Sequence, residues 1–288
     1  MEKEIKIALF SPSSPPSLRA YQRGIKVLRK NNIPFRSFVD FSDSSPSFKA
    51  LLFYELITNQ DFEFIWAVRG GFGAIKMIPY LEEFFSEKIK INIHSFLIGF
   101  SDVTTLHLYL YKKFRKKGLH APMIVNLPNL SEKVLKNLFE VILGNKDISL
   151  EGLAYREGEK EGILLGGNLI TLASLCGTSY LPFEKSIILV IEETKEKKYR
   201  AERAFLQLIF TLGIENIKGI VIGDLGKIEP LEFLKGVEEF LPRDIPIGYA
   251  FSFGHIKNNL PLIIGERAYL VVKDDKAKLF QKNLIGFK

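Results

Sequence analysis

The chain has 288 residues, 47% hydrophobic and 25% charged, with a formal net charge of +7. This is ordinary globular composition, long enough for two domains of about 100–200 residues each. The single cysteine, Cys176, excludes an intrachain disulfide scaffold and a zinc knuckle, and the lysines are scattered without a recognisable nucleic-acid motif, so the positive charge is that of a solvated surface.

In chain order, 5–10 predicts a first strand. Its unbroken apolar run of 7–10 is shorter than a signal-peptide core of roughly 7–15 residues, which places the protein in the cytoplasm. A Ser- and Pro-rich loop leads to a helix at 18–31, with apolar Ile25, Val27 and Leu28. Helix at 48–58, strand at 62–68, helix at 74–84, strand at 96–100 and helix at 103–117 continue the alternation. Strands spaced by helices predict a parallel sheet with helices on its faces, a Rossmann-like α/β domain over 1–145. A helix at 132–143 closes it. The following stretch, rich in glycine and charge and without a clear period, reads as a linker over 146–161.

Beyond the linker, 162–288 shows shorter apolar runs at 187–191, 217–222, 245–247 and 268–272, and one firm helix at 200–211. A second α/β domain with a mixed sheet is expected, with a cleft where the two domains meet. The long uncharged stretch 163–183 is interrupted by Gly166, Gly167, Asn168, Gly177 and Pro182, so it reads as buried strand, loop and helix and not as a membrane span.

Four segments carry groups suited to chemistry. Arg69-Gly70-Gly71-Phe72-Gly73 follows a predicted strand, and its missing side chains let backbone N–H groups approach a ligand or a developing oxyanion; a plain tight turn is the alternative. It lacks the Lys-Ser/Thr ending of a phosphate loop and the third glycine of a dinucleotide fingerprint. Gly99-Phe100-Ser101-Asp102 places a serine at a strand-to-helix turn, where it can be the N-cap of the next helix, a nucleophile, or both. At that turn the Asp102 N–H and the helix dipole favour negative charge. A strongly apolar strand ends in Glu192 and Glu193, and alternation of faces lets only one of them point into a given site without choosing between them. Of the four histidines, His255, after Gly254 in a segment dense with Gly and Asn, is the best-placed base.

Together these segments resemble the LD-carboxypeptidase family of serine peptidases, which includes muramoyltetrapeptide carboxypeptidases and microcin-immunity peptidases. The resemblance spans nearly the whole chain. It rests on Arg69 to Gly73, Gly99 to Thr104, His120-Ala121-Pro122-Met123, Gly166 to Leu169, Gly177-Thr178, Ile191-Glu192-Glu193 with Tyr199, Arg200 and Arg203, and Gly254-His255. It implies Ser101 as nucleophile, His255 as general base and acid, and Glu192 as the carboxylate that orients the imidazole. It further implies an oxyanion hole at the N–H groups of Gly71 and Asp102, substrate contacts at Arg69, Gly70 and Asn168, no metal and no cofactor, and a homodimer.

The implied substrate is a small peptide, murein tetrapeptide, losing its terminal D-alanine in cell-wall recycling, with no nucleic-acid or membrane partner. Hydrolysis of a peptide-nucleotide antibiotic is the alternative within the same chemistry, and a non-catalytic binder of an anionic peptide or nucleotide is the alternative of another class. The chain departs from the family pattern at Ala121, where Gly is usual, and at Glu193, where Asp is usual, which keeps Glu193 open as the orienting acid. It is also looser at Pro261-Leu262-Ile263-Ile264-Gly265.

Overall fold

The computed structural model describes residues 6–42, 44–86 and 91–284. Ile5, expected to open the first strand, lies outside the described residues. In chain order the elements begin with β1 (Ile7–Phe10), α1 (Leu18–Lys30), β2 (Phe35–Ser37), α2 (Pro46–Thr58), β3 (Phe64–Ala67) and α3 (Ala74–Ser86). β4 (Phe96–Ile98), a 3-10 turn at Ser101–Val103, α4 (Thr104–Phe114), β5 (Gly118–His120) and α5 (Glu132–Ile142) follow. Then come β6 (Ile148–Arg156), β7 (Gly158–Asn168), α6 (Leu169–Ala173), β8 (Ile187–Glu192), α7 (Lys198–Leu212), β9 (Ile217–Ile222), α8 (Pro230–Val237), β10 (Ile247–Tyr249), β11 (Leu262–Ile264), β12 (Arg267–Lys273) and β13 (Lys276–Gln281).

Among the described residues these strands form two sheets. The first runs β11-β5-β4-β3-β1-β2, with β1 to β5 parallel and β11 antiparallel on β5. Its four-residue strands β1 and β3 are buried along their whole length, as parallel strands covered on both faces must be. α1 and α5 carry apolar stripes on otherwise polar surfaces, and Ser17 and Ser131 cap them by accepting the Ala20 and Val134 N–H groups. The order of strands reverses between β1 and β3. In such sheets the crevice outside the carboxyl ends of the strands at this point is where ligands bind.

The second sheet closes on itself in the order β10-β6-β13-β12-β7-β8-β9, with β7, β8, β9 and β10 parallel and the other pairings antiparallel. The fold is thus α/β, a Rossmann-like parallel sheet joined to a mixed, barrel-like sheet. The stretch 146–161, expected as a linker, instead builds β6 and opens β7. These strands have a solvent-facing side, so their polar and glycine residues alternate with buried Ile148 and Leu150 and the apolar run that marks a buried strand is missing. β11 also departs from expectation, since a segment between β10 and β12 of the barrel crosses to the first sheet.

Candidate active site

The proposed site residues lie at the carboxyl ends of parallel strands from both sheets. In the first sheet, the loop 69–73 follows β3 and Ser101 follows β4. In the second, Asn168 and Glu192 are the last residues of β7 and β8, Asp224 follows β9, and His255 follows β10. The two sets meet where the ring of Phe100 packs on that of His255, with centroids 4.8 Å apart.

Ser101 has φ +62°, a left-handed conformation that non-glycine residues adopt at a cost of order 1–3 kcal/mol. It makes no capping hydrogen bond to the helix ahead of it, so the expectation of a plain N-cap is overturned. The turn instead presents the side chain toward the glycine loop: a Cβ built on Gly70 would stand 3.1 Å from Ser101 Cβ and 3.2 Å from its Oγ. From behind, the buried Nε2 of His107 lies 2.9 Å from the Gly99 carbonyl. Burial, only partly opposed by that contact, pulls His107 down to about 4, so it is neutral and its Nε2–H donates.

His255 Nδ1 lies 2.7 Å from Glu192 Oε2, with the Glu192 side chain fully buried and a quarter (25%) of the His255 side chain exposed. Burial works against the imidazolium. The hydrogen bond and charge of Glu192, helped by Glu193 and Asp224, outweigh it and hold His255 above its ordinary value. Gly254, at φ +112°, permits the approach, because a Cβ there would fall 2.9 Å from Glu192 Cβ. Its N–H donates to the buried Asn259 Oδ1 at 3.1 Å, which fixes the loop that carries the histidine.

Glu193 faces elsewhere. Its carboxylate accepts the N–H groups of Ile170 (3.0 Å) and Thr194 (2.7 Å), at the start of α6 and in the loop after β8. Burial nevertheless raises its carboxyl, against those two hydrogen bonds and a further one from Asn168. Asn168 is the N-cap of α6, its Oδ1 accepting from the Thr171 N–H (3.1 Å) and hydroxyl (2.9 Å). Its backbone N–H donates to Thr104 Oγ1 at 3.1 Å, joining the end of β7 to the start of α4. Arg69 is exposed and donates to the Pro15 carbonyl at 2.7 Å.

The structure therefore brings His255 and Glu192 into direct contact and sets Ser101 against Gly70, while Ser101 and His255 are not hydrogen-bonded to each other. Such bonds are commonly long before substrate binds. One neighbour escaped the sequence analysis. Asp224 ends an apolar strand run just as Glu192 does, a signal present in the sequence. His120, first residue of the His120–Met123 motif, closes β5 between the rings of Phe100 and Phe253 with both ring nitrogens unpartnered. Burial drives it down to about 3, so it is a neutral packing group behind His255.

Among the described residues no cluster of three or more His, Cys, Asp or Glu is placed to hold a metal ion, and no helix is long and apolar enough to cross a membrane.

Comparison with known proteins follows the same division of the chain. Residues 7–121 match the LD-carboxypeptidase N-terminal domain and residues 161–270 the C-terminal domain. The murein tetrapeptide carboxypeptidase of Pseudomonas aeruginosa is 26% identical over 227 residues, 73% of this chain and 73% of that protein. The microcin C7 self-immunity protein MccF of Escherichia coli is 25% identical over 309 residues, 90% of this chain and 88% of its own. The crystal structure of muramoyltetrapeptide carboxypeptidase from Oxalobacter formigenes superposes with a TM-score of 0.82 at 25% identity, covering 96% of this chain and 98% of that one. With both domain models matched in order and a whole-chain structural counterpart, the chain belongs to the LD-carboxypeptidase family of peptidases.

Proposed function

We propose that the protein is a serine LD-carboxypeptidase that releases the terminal D-alanine of murein tetrapeptide through an acyl-enzyme. The observation that carries this is the His255–Glu192 pair, 2.7 Å apart after the ends of the barrel strands, packed on the ring of Phe100, whose chain neighbour Ser101 is held at φ +62°. With Nδ1 bound to Glu192, Nε2 is the nitrogen free to take the Ser101 proton as Oγ attacks the scissile carbonyl carbon. The negative charge passes to the carbonyl oxygen, and the N–H groups of Gly71 and Asp102 are its intended donors, each worth roughly 3–4 kcal/mol in comparable sites. Nε2 then returns the proton to the departing amine of D-alanine. Water repeats the attack on the ester and frees Ser101. No step needs a metal or a cofactor.

The family supports the further expectations of a cytoplasmic homodimer acting in cell-wall recycling. Similarity to the microcin C7 self-immunity protein MccF along 90% of this chain supports the second reading, hydrolysis of a peptide-nucleotide antibiotic or a related amide. The deciding experiment offers both substrates to the wild type and to Ser101→Ala in the presence of a metal chelator. D-alanine release by the wild type alone is expected. Release of an aminoacyl fragment from the nucleotide conjugate without any D-alanine moves the activity to the second class, release by Ser101→Ala as fast as by the wild type removes Ser101 as nucleophile, and no product from either substrate makes the protein a binder.

A further inference from the structure

Asp102 enters the proposed mechanism only through its backbone N–H, yet its side chain is among the most deeply committed polar groups near the site. It is 6% exposed, and its Oδ2 accepts two hydrogen bonds, from Ser13 Oγ at 2.6 Å and from the Ala74 N–H at 2.9 Å. Ser13 is fully buried in the loop after β1, and Ala74 opens α3 directly after the glycine loop. A buried carboxylate is costly unless hydrogen-bonded, and here burial pushes the Asp102 carboxyl up against the opposing pull of both donors and of Lys49.

In the glycine loop Gly70 is buried against Ser101 and Met123 while Phe72 is 62% exposed, and the loop's further contacts run to the β1 loop. The Phe72 N–H donates to Ser14 Oγ at 3.2 Å, Arg69 donates to the Pro15 carbonyl, and Gly71 passes so near Ser14 that a Cβ would stand 2.5 Å from its Oγ. The β1 loop is in turn fastened through Ser13 to Asp102, the residue adjoining Ser101. One side chain thereby ties together the turns after β1, β3 and β4.

We propose that the Asp102 side chain is a positioning residue for the oxyanion site, holding the Gly70–Gly71 backbone in place relative to Ser101 through Ser13, Ser14 and Ala74. The proposal rests on Ser101 being the nucleophile. It sets Asp102 apart from an ordinary helix cap, because a cap for α3 would matter to stability and not to the charge that forms beside Ser101.

The test is the rate at which an alkyl fluorophosphonate modifies Ser101, followed by intact-mass spectrometry. In that step Oγ forms a bond to phosphorus, fluoride leaves with the P–F electron pair, the hydroxyl proton passes to His255, and charge grows on the phosphoryl oxygen that the donors would meet. Asp102→Ala is expected to slow labelling about 10²-fold, the cost of a donor moved by about an ångström. Asp102→Asn, whose amide oxygen can accept both hydrogen bonds, stays within about tenfold of wild type. The pH dependence of labelling is expected to be the same in all three, since the base is untouched.

A lowered melting temperature in Asp102→Ala with labelling as fast as wild type overturns the positioning role and leaves Asp102 a structural cap. Failure of the wild type to label at Ser101 overturns both this proposal and the serine mechanism beneath it. Should Asp102→Ala not fold, Ser13→Ala decides, since it removes the link to the β1 loop and keeps the bond to Ala74. A loss of about tenfold or more is expected there, and wild-type labelling overturns the proposal.

Discussion

Glu192 and Glu193 are adjacent and both buried, yet the backbone sends their carboxylates to different partners, one to an imidazole and one to the start of a helix. That division makes a prediction about pH. His255 is held above its ordinary value of about 6.5, so the free enzyme loses its base, and kcat/KM falls, as pH drops through that raised value. Glu192→Gln removes the main support of the imidazolium: the acid limb is expected to move to lower pH while the plateau falls on the order of 10³–10⁴-fold. Glu193→Gln removes only a more distant charge and should move the limb less. A pH profile of kcat/KM for the three proteins checks this, and an equal shift in both variants would show that the two acids act alike. The same linkage bears on stability. With the folded value raised, the contribution of the pair is complete below about pH 6.5 and is lost as pH rises through the folded value. In the sequence, the strand-end acids and the histidine after glycine were legible as candidates, and the structure brings Glu192 and His255 into contact. The partition between the two acids was not legible, because it depends on which side of β8 meets the loop after β10, a non-local fact. The strain at Ser101 was hidden for a related reason: a serine before a helix reads as a cap until its φ is known.

At the scale of elements, the seat of β11 is the least expected feature and the most testable. This three-residue strand leaves the barrel sequence to pair with β5, and the buried Gln281 at the end of β13 secures it from the other side. Gln281 Oε1 accepts the Ile263 N–H at 2.9 Å, and its Nε2 donates to the Ile263 carbonyl at 2.8 Å. Gln281→Leu keeps much of the volume, leaves the Ile263 N–H buried without a partner and leaves its carbonyl only the longer bond from the Glu266 N–H at 3.4 Å, so a loss of about 1–3 kcal/mol is expected by chemical denaturation. A loss below about 0.5 kcal/mol would mean that β11 is seated by its strand pairing alone. The longer helices were legible because an amphipathic stripe of 3.6-residue period survives in α1 and α5 without knowledge of their neighbours. β2, β5 and β11, at three residues each, are too short to display any period. β13 alternates buried and exposed residues throughout, but its outward lysines and short length disguise it.

For the whole molecule, the two family domains do not correspond to two separate cores. Leu9, Trp66 and Leu119 of the first sheet belong to one continuous buried cluster with Leu164, Ile188 and Val221 of the barrel. β11 carries the barrel half into the first sheet, Asn168 bonds to Thr104, and Lys117 pairs with Glu266 between the end of α4 and the turn before β12. Separating the halves would strip the edge of β5 and expose apolar surface worth about 25 cal/mol per Å², which couples the stability of one half to that of the other. Thermal unfolding is therefore expected as one transition, with the van't Hoff enthalpy equal to the calorimetric one. Trp66, the single tryptophan, is fully buried in β3 with Nε1 donating to the Pro122 carbonyl at 2.8 Å, so its fluorescence reports the first sheet directly. Its midpoint should coincide with that of far-UV circular dichroism, which sums both sheets. Two calorimetric peaks, or a fluorescence midpoint several degrees from the dichroism midpoint, would show that the halves unfold independently. The expectation also bears on the site: Ser101 comes from one half and His255 with Glu192 from the other, so a core that melts as one unit keeps the proposed nucleophile and base in register up to the transition itself.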